Sequence, residues 1–365
     1  MAQPDKSLDF EFEEVDHQWM REIIFTKEIV EEEEREDVIC FPQLNSLHIK
    51  GIPDLIFFCS GNFNIEFPLL KELNIEDCPK LKEFISKSSS ESGMQALFNE
   101  KVAAPSLETM TISDLSNVKM IFHTDLPPNS FQYLRKQEIE AKGKDVICFP
   151  RLNSLRMDCL RNLIFFCSGN FNIEFPLLKE LKIEDCPKLK EFITKRSTES
   201  GMHTLFNEKV AVPSLETMTI SKLRNVKMIF HTDLPPDSFQ SLRKLSVSRC
   251  EILKNLFPAS IAKHLLQLED LSISDCGVEE IVSEGKGVED QPVRFEFPKL
   301  SSLEVTSLKE LKCFYKGKHT MVWPMLKKLT TDGSGLVMRM GLEDVRMEER
   351  KGNGESVLVV EENRP

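Results

Sequence analysis

Apolar and polar positions alternate in a fixed pattern in many short stretches of the chain. Between residues 70 and 81, the apolar positions are Leu70, Leu73, Ile75, Cys78 and Leu81, with polar residues on both sides of each central one. Successive side chains of a β-strand point to opposite faces, so Leu73 and Ile75 face one way and their polar neighbours the other. The pattern predicts a short strand that is apolar on one face and is followed by a turn.

The same frame recurs along most of the chain. Besides Leu70, its intact copies begin at Leu44, Leu107, Leu152, Leu178, Leu215, Leu242, Leu268, Leu300 and Leu326, and a damaged copy begins at Leu134. Six of the ten successive spacings are 26 or 27 residues, within the period of about 20–29 residues of leucine-rich repeats, and two others are 37 residues. The sequence therefore predicts an α/β solenoid, a leucine-rich-repeat horseshoe of about ten to eleven coils. Its concave face would carry a parallel β-sheet, and its convex side would be irregular or short-helical.

Part of this array is an internal duplication. Residues 38–134 recur without a gap as residues 146–242, at an offset of 108 and with roughly four positions in five unchanged. A solenoid accommodates such an insertion because each coil contacts only its neighbours. Near the join, Gln137 stands where the frame requires a leucine, which predicts an irregular coil after Leu134.

The repeats divide the chain into three predicted segments. Residues 1–37 hold 14 acidic and 4 basic residues and are expected to form an acidic leader, either disordered or a short capping helix. Residues 38–332 form the predicted solenoid, and residues 333–365 a C-terminal cap and polar tail in which Val357–Val360 could add a capping strand. The whole chain carries a net charge of −12, without the basic stripe that nucleic-acid binding requires.

The ten cysteines are expected to be reduced. Cys78, Cys186, Cys250 and Cys276 occupy the asparagine-or-cysteine position of the frame, and no Cys-x-x-Cys pair occurs. The chain also shows no signal peptide, no apolar run long enough to span a membrane and no glycosylation sequon. These features predict a cytoplasmic protein.

No catalytic, cofactor-binding or metal-binding motif is recognisable. The phosphate-binding loop, the zinc-protease motif, the nucleophile elbow and the calcium loop are all missing from the sequence. His231 lies two residues before Asp233, but a structural role is the favoured interpretation of that pair. We therefore expect a protein that is not an enzyme and that needs no cofactor.

Several long phrases resemble one plant protein family. They are Phe-Asn-Glu-Lys-Val-Ala-Ala-Pro-Ser-Leu-Glu at 98–108, Leu-Phe-Pro-Ala-Ser-Ile-Ala-Lys at 256–263 and Phe-Tyr-Lys-Gly-Lys-His-Thr at 314–320. Over about residues 38–332, the chain resembles the C-terminal leucine-rich repeats of plant intracellular disease-resistance proteins with coiled-coil and NB-ARC modules. The resemblance implies a recognition module of plant innate immunity that binds a pathogen effector or a guarded host protein. The phosphate loop of the nucleotide-binding module does not occur in this sequence.

The polar positions of the predicted strands are the candidate partner-binding residues. They are His48, Lys50, Glu72, Asn74, Glu76, Thr111, Arg156, Asp158, Lys182, Glu184, Thr219, Ser246, Ser272 and Glu304. Some change charge between the two copies, as from Lys50 to Asp158 and from Asn74 to Lys182. A surface adapting to new partners would change in this way, although exposed positions also drift freely. Two other functions stay open, a trans-acting regulator or adaptor that docks on a nucleotide-binding immune receptor, and a truncated, non-functional receptor fragment.

Overall fold

The structure is a computed structural model of the 365-residue chain. It describes residues 7–11, 37–61, 63–86, 96–99, 101–122, 133–134, 146–169, 171–194, 204–234, 238–284, 292–331, 347–350 and 357–360. The chain forms two compact units. The first consists of Met1–Leu178 and Asp185–Glu199, and the second of Lys179–Glu184 and Ser200–Pro365.

The first unit is built on a ladder of parallel strands. In order across the sheet, these are Ser7–Glu11, Ser46–Lys50, Glu72–Glu76, Thr109–Ser113 and Ser154–Asp158. Each strand is paired residue for residue with the next, so Leu47, Leu73, Met110 and Leu155 lie in one row. This row is buried, as is the row two residues later, because the period of the strand sends every second side chain to the same face.

Short ladders form the other sides of the first unit. Their strands are Asp37–Cys40 with Phe63–Glu66 and Val102–Ala103, Phe57–Ser60 with Glu83–Ser86, Met120–Phe122 with Phe165–Ser168 and Glu191–Thr194, and Tyr133–Leu134 with Val146–Cys148 and Asn172–Glu174. Their sequences are rich in phenylalanine and β-branched residues, which favour extended backbone.

The second unit repeats this design. Its main ladder contains Glu180–Glu184, Thr217–Ser221, Lys244–Ser248, Asp270–Ser274, Ser302–Thr306 and Lys328–Thr331. The remaining elements are Thr204–Phe206, Val210–Ala211, Met228–Phe230, Asn255–Pro258, Glu280–Ser283, Val293–Glu296, His319–Val322 and the helix Ala259–Ala262. This four-residue helix is the only one in the described part of the chain. Between the ladder strands, irregular backbone alternates with the short strands.

The leucine frame predicts where the ladder strands begin. Each intact copy of the frame is followed by a ladder strand that starts two residues after its first leucine, as Ser46 follows Leu44 and Lys328 follows Leu326. The damaged copy behaves differently. Tyr133–Leu134 runs antiparallel to Val146–Cys148, and Thr109–Ser113 pairs directly with Ser154–Asp158. The irregular coil predicted after Leu134, with Gln137, lies outside the described residues.

Closely packed phenylalanine rings fill the interior behind the ladders. In the first unit, Phe166 packs against Phe122, Phe149, Phe175 and Phe192, with ring centroids 4.2–6.2 Å apart. Such aromatic pairs add about 0.5–1.5 kcal/mol each beyond the burial of their area. The rings of each coil pack against those of the next coil, so a single coil could not bury its apolar face alone.

The chain termini also carry strands. Ser7–Glu11 pairs in parallel with Ser46–Lys50, so this part of the acidic leader is extended rather than disordered or helical as expected. Its sequence Ser-Leu-Asp-Phe-Glu alternates with the period of a strand. At the other end, Val357–Val360 pairs antiparallel with Lys328–Thr331 as the sequence suggested, and Met347–Arg350 pairs antiparallel with Val357–Val360.

Candidate functional site

The polar side of the two main ladders forms one exposed face in each unit, here called the ladder face. All the candidate partner-binding residues lie at alternate positions of ladder strands and are half-buried or exposed, and each adjoins at least one buried residue. The first unit carries His48, Lys50, Glu72, Asn74, Glu76, Thr111, Arg156 and Asp158. The second carries Lys182, Glu184, Thr219, Ser246, Ser272 and Glu304. Their role in binding stays a prediction.

A polar cluster occupies the first unit's ladder face. The Ser46 hydroxyl lies 2.8 Å from His48 Nε2, and Asn74 Nδ2 donates to Glu72 Oε1 at 3.0 Å. Asn74 Nδ2 also lies 3.4 Å from His48 Nε2, which links the two strands through their side chains. Backbone pairing thus fixes these groups at the spacing of neighbouring strands, about 4.8 Å.

Charged pairs border this cluster. Lys50 Nζ lies 3.7 Å from Glu76, and Arg156 donates to Asp158 at 3.1 Å. Exposed pairs of this kind contribute about 0–1 kcal/mol each. They therefore determine the charge pattern of the surface much more than its stability.

Hydroxyl groups dominate the second unit's ladder face. Its half-buried outward positions include Thr217, Thr219, Ser246, Ser248, Ser272, Ser274, Ser302 and Thr306. Charges stand at the borders, where Lys182 pairs with Glu184 at 2.8 Å and Ser272 donates to Glu304 at 3.2 Å. Small hydroxyl side chains leave the backbone ladder accessible and offer both donors and acceptors to a partner.

Left-handed backbone follows the ladder strands. The residue directly after each of nine ladder strands has a φ between +45° and +68°, and these residues are Gly51, Asp77, Asp114, Cys159, Asp185, Lys222, Arg249, Asp275 and Ser307. In several of them, the backbone N–H donates to the last carbonyl of the neighbouring strand, as from Asp77 to Ser113 at 3.2 Å. We call this row the turn row. The sequence offered a signal for it, because glycine and aspartate tolerate this conformation.

The cysteines of the frame pack against the turn that follows each strand. The thiols of Cys78, Cys250 and Cys276 each donate to the carbonyl two residues earlier, at 3.4, 3.4 and 3.2 Å. Burial raises the pKa of the Cys78 thiol to about 11 and that of Cys186 to about 12. A hydrogen bond between their side chains raises the pKa of Cys250 and lowers that of Cys276. All ten cysteines lie among the described residues and are free thiols.

Cys159 differs from these because it belongs to the turn row. Its Sγ lies 3.8 Å from Asp185 Oδ2. Burial and the carboxylates of Asp158, Asp114 and Asp185 together raise the pKa of its thiol to about 12. A thiol held neutral in this way is a poor nucleophile.

One exposed ion triad lies at the turns of the second unit. Glu279 binds the amino groups of both Lys254 and Lys312. The two hydrogen bonds and the two positive charges lower the pKa of the Glu279 carboxyl to about 2. Because all three side chains are well solvated, the triad shapes local charge without adding much stability.

A metal site would need several histidine, cysteine or acidic side chains close together in the described part of the chain. No group of three or more histidine, cysteine or acidic side chains there has the arrangement of a metal site. His231 Nδ1 accepts a hydrogen bond from the backbone N–H of Asp233 at 3.2 Å, which is a local turn contact. Among the described residues there is also no helix with the length and apolar character needed to cross a membrane.

Comparison with known protein families agrees with this architecture. The family of RPS2-like plant disease resistance proteins, in its leucine-rich repeats, matches residues 14–144 and 138–277. The two matched segments follow one another along the chain, each containing one copy of the duplication. Comparison with curated proteins and with solved structures gives no match.

The family supports a coarse function. Leucine-rich repeats of plant resistance proteins form a protein-interaction module in immunity, and repeat families with this fold are typically non-catalytic. The match is explained by three features of the chain, which are the repeat frame, the ladder strands and the buried leucine rows. The chain belongs to the RPS2-like leucine-rich-repeat family of plant disease resistance proteins.

Proposed function

We propose that this chain recognises a pathogen effector or a guarded host protein through its ladder faces. The observation that carries the proposal is the difference between the two copies at equivalent outward positions. Lys50 and Asp158 are the last residues of equivalent five-residue ladder strands. Asn74 and Lys182 are the central residues of another equivalent pair. The buried rows keep the fold, so charge at these positions can change without altering the scaffold.

The ladder faces have the composition that a specific protein contact uses. Rigid, paired strands hold the polar groups in place, which lowers the entropy lost on binding. Interspersed charges of both signs select a partner by complementarity more than they add affinity. We place this recognition in the cytoplasm, a proposal that the ten free thiols support.

The test is proximity labelling in plant cells with the full chain as bait. The recognition variant is Arg156→His with Asp158→Lys, which returns to this strand the residues of the first copy. The control variant is Lys316→Glu, at an exposed position outside both main ladders. Both variants should fold, since neither alters a buried side chain.

The expected result is a labelled effector or host protein that the recognition variant loses and the control variant retains. Labelling of a nucleotide-binding immune receptor instead would favour the trans-acting regulator. Equal labelling by all three baits would refute recognition through this ladder face. Recovery of chaperones alone, with fast turnover of the bait, would indicate a non-functional fragment.

A further inference from the structure

Basic side chains gather at one edge of the second unit. Lys222 and Arg249 directly follow the neighbouring strands Thr217–Ser221 and Lys244–Ser248, and the backbone N–H of Lys222 donates to the carbonyl of Ser248 at 3.0 Å. The two residues therefore stand side by side in adjacent coils, about 4.8 Å apart along the ladder. Arg224 and Lys227 continue the same turn and are exposed. We call these four residues the basic edge, namely Lys222, Arg224, Lys227 and Arg249.

The backbone at this edge is strained. Lys222 has a φ of +55° and Arg249 a φ of +53°, in the left-handed region that costs a residue with a Cβ about 1–2 kcal/mol. Of the other seven residues of the turn row, five are glycine or aspartate, which adopt this conformation more readily, and the remaining two are Cys159 and Ser307. Two long basic side chains are thus held where the backbone and their mutual repulsion both disfavour them.

The internal copy shows that the fold does not require these charges. Asp114 and Ser116 are the equivalents of Lys222 and Arg224 at the offset of 108, and Asp114 has the same φ of +55°. Lys119 is the equivalent of Lys227. The three positions therefore sum to zero charge in the first copy and to three positive charges in the second. One backbone therefore supports two different charge patterns.

The arginines of the basic edge are also available to a partner. Arg224 and Arg249 are exposed and form no ion pair within 4 Å with any residue that the structure describes. Basic side chains nearby behave differently, since Arg243 binds Glu269 at 2.8 Å and Lys254 binds Glu279. An unpaired guanidinium presents five donors in a planar fork suited to carboxylates.

We propose that the basic edge docks an acidic segment of a partner protein. An extended acidic segment presents carboxylates on one face about 6.6–6.8 Å apart, within reach of flexible side chains that stand in adjacent coils. A protein fits better than a nucleic acid, because a few carboxylates can lie within the edge alone. A nucleic-acid backbone would continue past the acidic side chains of Glu251 and Asp275, which border the edge, and would be repelled there. The site is separate from the ladder faces, so neither proposal depends on the other.

The experiment compares the full chain with two matched double variants. The edge variant is Lys222→Asp with Arg224→Ser, which installs the residues of the first copy. The control is Lys316→Asp with Arg294→Ser, which makes the same residue changes at exposed positions of the second unit outside the edge. Far-UV circular dichroism and thermal melting establish that each protein is folded. Lys222→Asp keeps a residue type that the turn row already accepts, so the edge variant should melt no lower than the unaltered chain.

The probes are a fluorescein-labelled Gly-Ser peptide that carries three glutamates at alternate positions and a labelled short duplex DNA, followed by fluorescence anisotropy. The unaltered chain and the control should bind the peptide alike, and the edge variant should bind it about tenfold more weakly at about 50 mM salt. Binding should weaken at about 200 mM salt. Arg249→Ser should also weaken it.

Three results would overturn the proposal. The first is no binding of the peptide by the unaltered chain, and the second is equal affinity of the edge and control variants. The third is tighter binding of the DNA than of the peptide with the same loss in the edge variant, which would make the edge a nucleic-acid surface. If the ladder-face variant Arg156→His with Asp158→Lys loses its labelled partner but binds the peptide normally, the two surfaces act separately.

Discussion

The inward and outward faces of a ladder strand can be tested with two adjacent substitutions, Leu245→Ala and Ser246→Ala. Both residues lie in Lys244–Ser248, which is paired with a ladder strand on each side. Leu245 is 2% exposed and lies in register with Met218 and Leu271. Ser246 is half-buried on the ladder face.

The expected losses differ several-fold. Leucine-to-alanine changes in buried sites destabilise proteins by about 2–5 kcal/mol, depending on how far the surroundings collapse into the cavity. Hydrogen-bonded strands on both sides of Leu245 fix its surroundings, so we expect about 3–4 kcal/mol, in the upper part of that range. Ser246 has no interior contacts to lose, and its substitution should change the free energy of unfolding by less than about 0.5 kcal/mol.

Urea denaturation followed by far-UV circular dichroism measures both values. Repeat arrays can open locally, so hydrogen exchange of the three strands around position 245 should accompany it. Leu245→Ala should speed exchange in these strands first. Equal losses for the two variants, or a larger loss for Ser246→Ala, would show that the assigned faces are wrong.

Three further predictions rest on single groups. Cys159→Gly should raise the free energy of unfolding by about 0.5–1 kcal/mol, because glycine relieves the left-handed strain at φ +52°. Gly51→Cys, at the equivalent position of the first copy, should lower it. A lower melting temperature of Cys159→Gly would contradict this. In native protein at pH 8, a thiol reagent should modify exposed Cys40 first and leave buried Cys167 unmodified. The reason is that burial raises the pKa of the Cys167 thiol to about 12. Fast labelling of a Cys40→Ser variant would contradict this prediction. The Glu279 carboxyl should titrate near pH 2 by NMR and return towards its ordinary range when its two lysine partners are replaced by alanine. Its small contribution to stability is present above the unfolded pKa of about 4.3 and is lost as the pH falls towards 2.

The repeat frame predicts the scaffold because its physical cause is local. Each apolar position of the frame is a side chain that must be buried. These positions are the leucine two residues before the strand, the second and fourth strand residues and the cysteine that follows, as in Leu70, Leu73, Ile75 and Cys78. The same alternation places the outward residues, so their exposure could also be predicted. What those residues bind depends on a partner that the chain's own packing does not encode.

Other features were harder to predict. The strand Ser7–Glu11 lies in a leader whose high charge favours disorder, and its five alternating residues are a weak signal beside that composition. The turn row is a tertiary requirement, met by aspartate at Asp77 but also by Lys222 and Arg249. Residue preference alone therefore finds the row only where the preferred residue is present.

The duplication separates what the fold needs from what can change. Positions 48–54 and their equivalents 156–162 differ at every residue, whereas positions 55–73 are identical to 163–181. The buried members of the changed stretch exchange one apolar residue for another, as Ile49 for Met157, while its exposed members change charge. These positions cover the end of a ladder strand and the turn row, the same edge at which Asp114 and Ser116 became Lys222 and Arg224. Free drift would scatter changes over every exposed side of the coil, including the unchanged stretch, where Leu69 and Leu177 are both exposed. Changes also occur away from this edge, as from Ser88 to Arg196 and from Gln95 to His203. The changes are therefore unevenly distributed without being confined to one edge. Their longest uninterrupted run, positions 48–54, lies at the end of a ladder strand and its turn, which makes this segment the first to test for a partner contact.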